Sequence, residues 1–260
     1  MKKHGWVLAL VLSIGCAHTA SEGDVAAARI HTDLGIAALE KGDMRAALRE
    51  LLFAEQKDDS VPQLHAALGI VYHALERDDD ALEHYRRAVL LKPDYSEAHN
   101  NMGTLLVDMG RYDEAIASFE KALGDILYAT PWFAEGNLGW AYTRKGEVAL
   151  GVKHLKNAVA QNPKFCRGYE WLMRVAVERQ DSEAVVHQGN RFMKHCAGDE
   201  GITAQLPADY LREMRYLLAM GHLKQGESDA ALQLLTACAQ GDGDESELVR
   251  RCQQSLATLQ

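Results

Sequence analysis

Proline is scarce in this 260-residue chain, with 5 residues, and aromatic side chains make up only 7%. Ala and Leu recur throughout, and a chain poor in aromatics but rich in straight or small apolar residues favours helix over sheet. Cationic side chains are also short: 28 Lys and Arg stand against 37 Asp and Glu, a formal charge of -9. That deficit argues against nucleic acid as a partner, because phosphate contacts need clustered cations. The sequence contains no HExxH, no paired CxxC, no GxSxG and no GxxxxGK[ST], so it offers no recognised ligand set, nucleophile or phosphate loop. It reads as a non-enzyme that needs no cofactor or metal. Its 47% hydrophobic and 25% charged residues are ordinary for a folded domain and exclude gross disorder.

Long apolar runs are missing as well. The run at 6–14 is too short to span a bilayer as a mature helix, and it follows Lys2 and Lys3. Gly15-Cys16 ends it. A charged start, a short apolar stretch and a small residue before Cys look like a lipoprotein signal over 1–15, with Cys16 acylated after cleavage. Ser13 departs from the usual pattern, in which Leu is common three residues before the Cys. Ordinary secretion and a retained anchor are the other readings of such a segment. Ala17, in place of Asp, points to the outer membrane over the inner one. Acyl chains on Cys16 would hold the chain to lipid, each buried methylene contributing about 0.8 kcal/mol. Losing Lys2 and Lys3 takes the formal charge from -9 to -11. Residues 16–27 read as the lipidated Cys and a flexible tether of small polar residues.

What the chain has in abundance is a period. Gly35, Gly69 and Gly103 are spaced by 34, as are Ala47, Ala81 and Ala115. Leu51, Tyr85 and Phe119 follow, then Ala54, Ala88 and Ala122. This is the tetratricopeptide (TPR) period, and residues 62–95 fit it best through Leu68, Gly69, Tyr72, Ala81, Tyr85, Ala88 and Pro93. Small residues let paired helices approach, larger ones fill the space beside them, and Pro93 ends the second helix. Repeats are expected at 28–61, 62–95, 96–131, 132–165, 166–195 and 211–240. A loop insertion is expected at 196–210 and a capping helix at 244–259. The fold is expected to be all-α: a right-handed superhelical TPR solenoid of about six repeats plus a C-terminal capping helix over 28–260.

His31, His65 and His99 also recur at 34. A metal ladder is one reading. Equivalent positions of stacked repeats lie too far apart for one ion with bonds of about 2.0 Å, so the slot reads instead as a bulky half-buried position. The acidic run at 76–80 lacks the alternating ligands of a calcium loop and reads as a solvated turn.

Four cysteines remain beyond Cys16. In an oxidising envelope an even set suggests two disulfides, although four buried thiols are the alternative. The start of a hairpin's first helix lies beside the end of its second, which pairs Cys166 with Cys196. Cys238 ends the second helix of repeat 6 and faces the antiparallel last helix, which pairs it with Cys252.

TPR solenoids bind protein segments in a concave groove lined by their first helices. The groove positions are Ile36 and Leu39, then Ala66 and Ile70, then Asn100, Thr104 and Val107, then Phe133, Trp140 and Arg144. Some of these serve repeat packing on the other reading. The set is largely apolar, with Phe133 and Trp140 as candidate anchors. The Lys/Asn clamp that grips a terminal carboxylate is not evident, so an internal apolar segment is the expected ligand.

The stretch NNMGTLLVDMGRYDEAIASFEKAL, then LY, then AEGNLGWAYTRKGEVALGVKHLKNAV resembles the pilotin lipoproteins of type IV pili, the PilF/PilW group. Asn100, Asn101, Gly103, Leu106, Gly110, Tyr112, Glu114, Ala115, Phe119 and Ala122 carry the likeness. So do Leu127-Tyr128 and the longer connection before Asn137 and Gly139. Met102 and Val107 depart, where the family often has Tyr and Cys. The likeness spans about residues 28–195. It implies a monomeric outer-membrane lipoprotein with its solenoid facing the periplasm. Such a protein would bind the secretin subunit of the pilus machine and promote its assembly into the multimeric channel. A general envelope adaptor recruiting cell-wall or other envelope proteins is the alternative.

Overall fold

The computed structural model describes residues 20–240 and 246–259. The lipidation reading at Cys16 lies outside them. Antiparallel hairpins follow one another along the chain: α1 (Glu22–Glu40) with α2 (Met44–Lys57), α3 (Pro62–Ala74) with α4 (Asp78–Leu91), and α5 (Ser96–Asp108) with α6 (Tyr112–Leu123). Next come α7 (Pro131–Lys145) with α8 (Val148–Gln161) and α9 (Cys166–Glu178) with α10 (Ser182–Phe192). A π-helical turn (Met193–Ala197) and the short α11 (Glu200–Thr203) lead to the last hairpin, α12 (Ala208–Lys224) with α13 (Ser228–Ala239). The closing helix is α14 (Glu247–Ala257). The described residues contain no strand, and the whole is a TPR solenoid.

The 34-residue glycines set how closely each pair of helices approaches. A Cβ added to Gly69 would sit 2.5 Å from the Tyr85 ring, and one on Gly103 would sit 2.6 Å from Phe119. Tyr85 and Phe119 fill the space that the missing side chains leave, and both are buried. Burying each ring contributes about 1.5–3 kcal/mol. Between α7 and α8 the approach is closer still, because Gly139 faces backbone: an added Cβ would meet the Leu155 nitrogen at 2.8 Å.

Capping sets the helix starts. Ser21 Oγ accepts from the Asp24 backbone N–H, and the Asp43 and Asp181 carboxylates do the same for α2 and α10. Pro62 and Pro131 open α3 and α7, where a missing N–H costs nothing. The Ser21 cap corrects the tether expected at 16–27: regular helix begins at Glu22, because Ser21 supplies the cap and Ala-rich sequence carries the helix on. The insertion expected at 196–210 is likewise more ordered than a loop. The Asp199 carboxylate caps α11, and α12 already begins at Ala208.

One core runs from Ala47 in α2 to Ala141 in α7, and a second from Leu155 in α8 to Leu218 in α12. A third joins α12, α13 and α14 through Ala219, Ala231, Leu235, Cys238 and Cys252. Each hairpin thus seals its apolar face on its neighbours, and α14 closes the end. Cys166 is bonded to Cys196 with Cα atoms 5.8 Å apart, and Cys238 to Cys252 with Cα atoms 6.0 Å apart. The first bridge ties the start of α9 to the π-helical turn, and the second ties α13 to α14.

Candidate partner-binding groove

The expected groove positions lie on the first helices α1, α3, α5 and α7. The proposed lining divides into two kinds. Ile36, Leu39 and Val107 are half-buried against the core, and Ala66 is buried with Ala88 and Ala98. These four serve mainly as packing, because small or aliphatic side chains there lean on the next hairpin. Ile70 and Thr104 belong instead to an open hollow of about 370 Å³, shared with His73, Ala74 and Asn101. Beside it, the Asn137 amide donates to Asn100 Oδ1 at 3.0 Å and to Thr104 Oγ1 at 3.3 Å. That polar bridge joins α5 to α7 across two repeats.

Further along, aromatic rings gather. Phe133 is 44% exposed and meets Phe165 edge-on at 5.5 Å. Trp140 of α7 stacks on Trp171 of α9, with centroids 5.4 Å apart and planes 6° from parallel. Phe165 meets the Trp171 edge at 6.1 Å. Guanidinium groups flank the indoles: Arg144 lies 5.6 Å from the Trp140 centroid and Arg167 lies 5.7 Å from that of Trp171. Such stacking is worth about 0.5–1.5 kcal/mol beyond burial, and each cation–π contact about 0.5–1 kcal/mol. Phe165 and Trp171 are buried, so Phe133 and the half-buried Trp140 form the open part of the strip, with Arg144 and Arg167 beside the indoles.

Phe165, Arg167 and Trp171 are absent from the sequence-based lining. Phe165 precedes α9, and Arg167 and Trp171 lie in it, one hairpin beyond the expected lining. Shifting Phe133 and Trp140 by the 34-residue period gives Arg167 and Arg174, with Glu170 between them. Arg174 donates to Glu170 at 2.9 Å and to Glu213 of α12 at 3.0 Å, so the groove turns polar past the indoles. Tyr210 sits beside this trio, and burial, reinforced by Glu170, pushes its hydroxyl pKa well above the ordinary tyrosine value.

Other surface features stand apart from the strip. The connection between α6 and α7 exposes Ile126 and Leu127 almost completely, while Tyr128 is buried beneath them. Asp125 holds this loop, accepting from the Leu127 N–H at 2.8 Å and from Ser96 Oγ at 2.8 Å. Those contacts keep its carboxyl below the usual aspartate range. A hollow of about 750 Å³ lies among α8, α9 and α10 and includes Val152, Leu172, His187 and Gln188. His31, His65 and His99 do not converge: His31 contacts Glu50, His65 contacts His84, and His99 contacts the Pro93 carbonyl. Among the described residues, no helix is long and apolar enough to cross a membrane.

Two family models, described as TPR repeat and tetratricopeptide repeat, match residues 71–110 and 98–129. Together they mark tetratricopeptide repeats over residues 71–129. The type IV pilus assembly protein PilF of Pseudomonas aeruginosa is 27% identical over 132 residues, 51% of this chain and 52% of that protein. An uncharacterised Haemophilus influenzae protein is 29% identical over 102 residues, 39% of this chain and 57% of that one. The chain thus spans just over half the length of these curated relatives. The crystal structure of PilW, a type IV pilus biogenesis factor, superposes with a TM-score of 0.74 at 24% identity, over 86% of this chain and 97% of PilW. The solved structure of Pseudomonas aeruginosa PilF gives 0.72 at 20% identity, over 90% of this chain and 100% of that chain. At such identities the two superpositions speak to fold.

Proposed function

We propose that this TPR protein is a non-enzymatic scaffold in type IV pilus assembly. Anchored to the outer membrane through acylated Cys16, it binds secretin subunits and promotes their assembly into the multimeric channel. The observation that carries the reading is the likeness to PilF in sequence, joined to a groove whose aromatic strip suits an apolar protein segment. In this reading, Phe133 and the half-buried Trp140 take the apolar side chains of the segment, and the buried Trp171 holds Trp140 in place. Arg144 and Arg167 favour acidic residues beside them. The lipid keeps the scaffold where the ring must form.

The test is a deletion strain of the source organism. Secretin monomer is expected to persist while heat-resistant multimer falls to a small fraction of the wild-type level. Normal multimer would overturn the reading, and cell-wall enzymes recovered in its place from crosslinked outer membranes would favour a general envelope adaptor.

A further inference from the structure

A side chain on the first helix of a hairpin and one on the second, 19 residues apart, face each other in several repeats. In repeat 1, His31 Nδ1 meets Glu50 Oε2 at 2.7 Å, and in repeat 4, His154 Nδ1 meets Glu135 Oε1 at 3.1 Å. Both pair an imidazole with a carboxylate. Repeat 2 breaks the pattern by placing imidazoles on both helices, with His65 Nδ1 and His84 Nδ1 3.1 Å apart. The carboxylate arrives from the preceding repeat: Glu55 Oε1 is 4.0 Å from His65 Nδ1 and 3.8 Å from His84 Nδ1. Donors around a tetrahedral ion with bonds near 2.0 Å stand about 3.3 Å apart, so small side-chain rotations close all three onto one point.

The backbone fixes the tautomer of His65. Its Nε2 lies 2.7 Å from the Asp59 carbonyl oxygen. A carbonyl only accepts, so Nε2 carries the hydrogen and the neutral ring presents its lone pair at Nδ1, toward His84 and Glu55. A ring nitrogen that donates to a carbonyl while its other nitrogen faces a cluster is the supporting arrangement of metal-ligating histidines. His99 makes the same kind of contact with the Pro93 carbonyl, but Ser118 stands where a second imidazole would be needed. The His65 and His84 side chains are 5% and 17% exposed, and Glu55 is 32% exposed. A hollow of about 340 Å³ opens beside them, bordered by Asp59, Glu83 and Arg87, with room for a water as fourth ligand.

We propose that Glu55, His65 and His84 bind a divalent transition-metal ion, zinc foremost, that ties α2 to α3 and α4. Two imidazoles and a carboxylate suit zinc, copper or nickel better than calcium or magnesium. The bound ion joins repeat 1 to repeat 2 and so stiffens the end of the solenoid nearest the N-terminus.

The full chain in detergent, stripped with chelator, is titrated with zinc chloride while calorimetry and thermal unfolding are recorded. One zinc per chain is expected, with a Tm rise of about 5 °C at a hundredfold excess over Kd. His84→Ala removes the shift. Glu55→Gln weakens zinc at least about tenfold while helicity by circular dichroism stays intact. His31→Ala leaves zinc binding as in the wild type. Absence of any zinc-induced shift, or equal zinc binding by wild type and Glu55→Gln, overturns the proposal and leaves His84 simply hydrogen-bonded to His65. Should His84→Ala not fold, Glu55→Gln decides.

Discussion

Gly110 and Glu76 occupy the same turn, one repeat apart, and both take a positive φ: 74° for Gly110 and 57° for Glu76. Glycine adopts that left-handed conformation without cost, whereas a side chain bearing Cβ costs about 1–2 kcal/mol there. Glu76→Gly is therefore expected to raise stability by about 1 kcal/mol, seen as a higher urea midpoint with unchanged slope. A lower midpoint would show that Glu76 makes a contact worth more than the strain. At this scale the sequence was informative where residue type alone carries the constraint. Gly35, Gly69 and Gly103 were legible because each must be small to admit Leu51, Tyr85 or Phe119. The meeting of His65 with His84 was not legible, because it depends on the rotation of α3 against α4.

At the scale of elements, the repeat hairpins followed from the period, while their ends did not. Ser21 starts α1 within the stretch read as tether, because one hydroxyl satisfies a backbone N–H and helix-forming residues follow. Residues 193–210 hold a π-helical turn and α11, organised by the Asp199 carboxylate and the Cys166–Cys196 bridge. Closing loops of 30 and 14 residues, the two bridges should each contribute about 3–4 kcal/mol by restricting the unfolded chain. Reduction is thus expected to speed hydrogen exchange in α9, α10, α13 and α14 while α3 to α6 stay protected. Uniform loss of protection along the chain would instead mean that the repeats unfold as one unit.

For the whole molecule, stacking the hairpins creates what no single repeat contains. Trp140 and Trp171 lie in different repeats, and their contact forms only when α9 settles against α7. Phe133 is the most open ring of that strip, so under the proposed function Phe133→Ala weakens the binding of a secretin segment about tenfold or more with little change in Tm. Trp140 is half-buried against Trp171, so Trp140→Ala should lower both affinity and Tm. Fluorescence titration with secretin peptides beside thermal unfolding separates the two effects. Unchanged affinity in both variants would move the site away from the strip.

The 34-residue period was enough to establish helical hairpins, their number and their order, because small and large residues must alternate wherever two helices pack. The same linear pattern also marked Cys166, Cys196, Cys238 and Cys252 as neighbours at hairpin ends. Which groove positions stay open, where the indoles stack and where two histidines and a glutamate converge depended on the three-dimensional stack. Those contacts join residues of separate helices, and their geometry follows from how each hairpin turns against the next, a quantity that no single stretch of chain encodes.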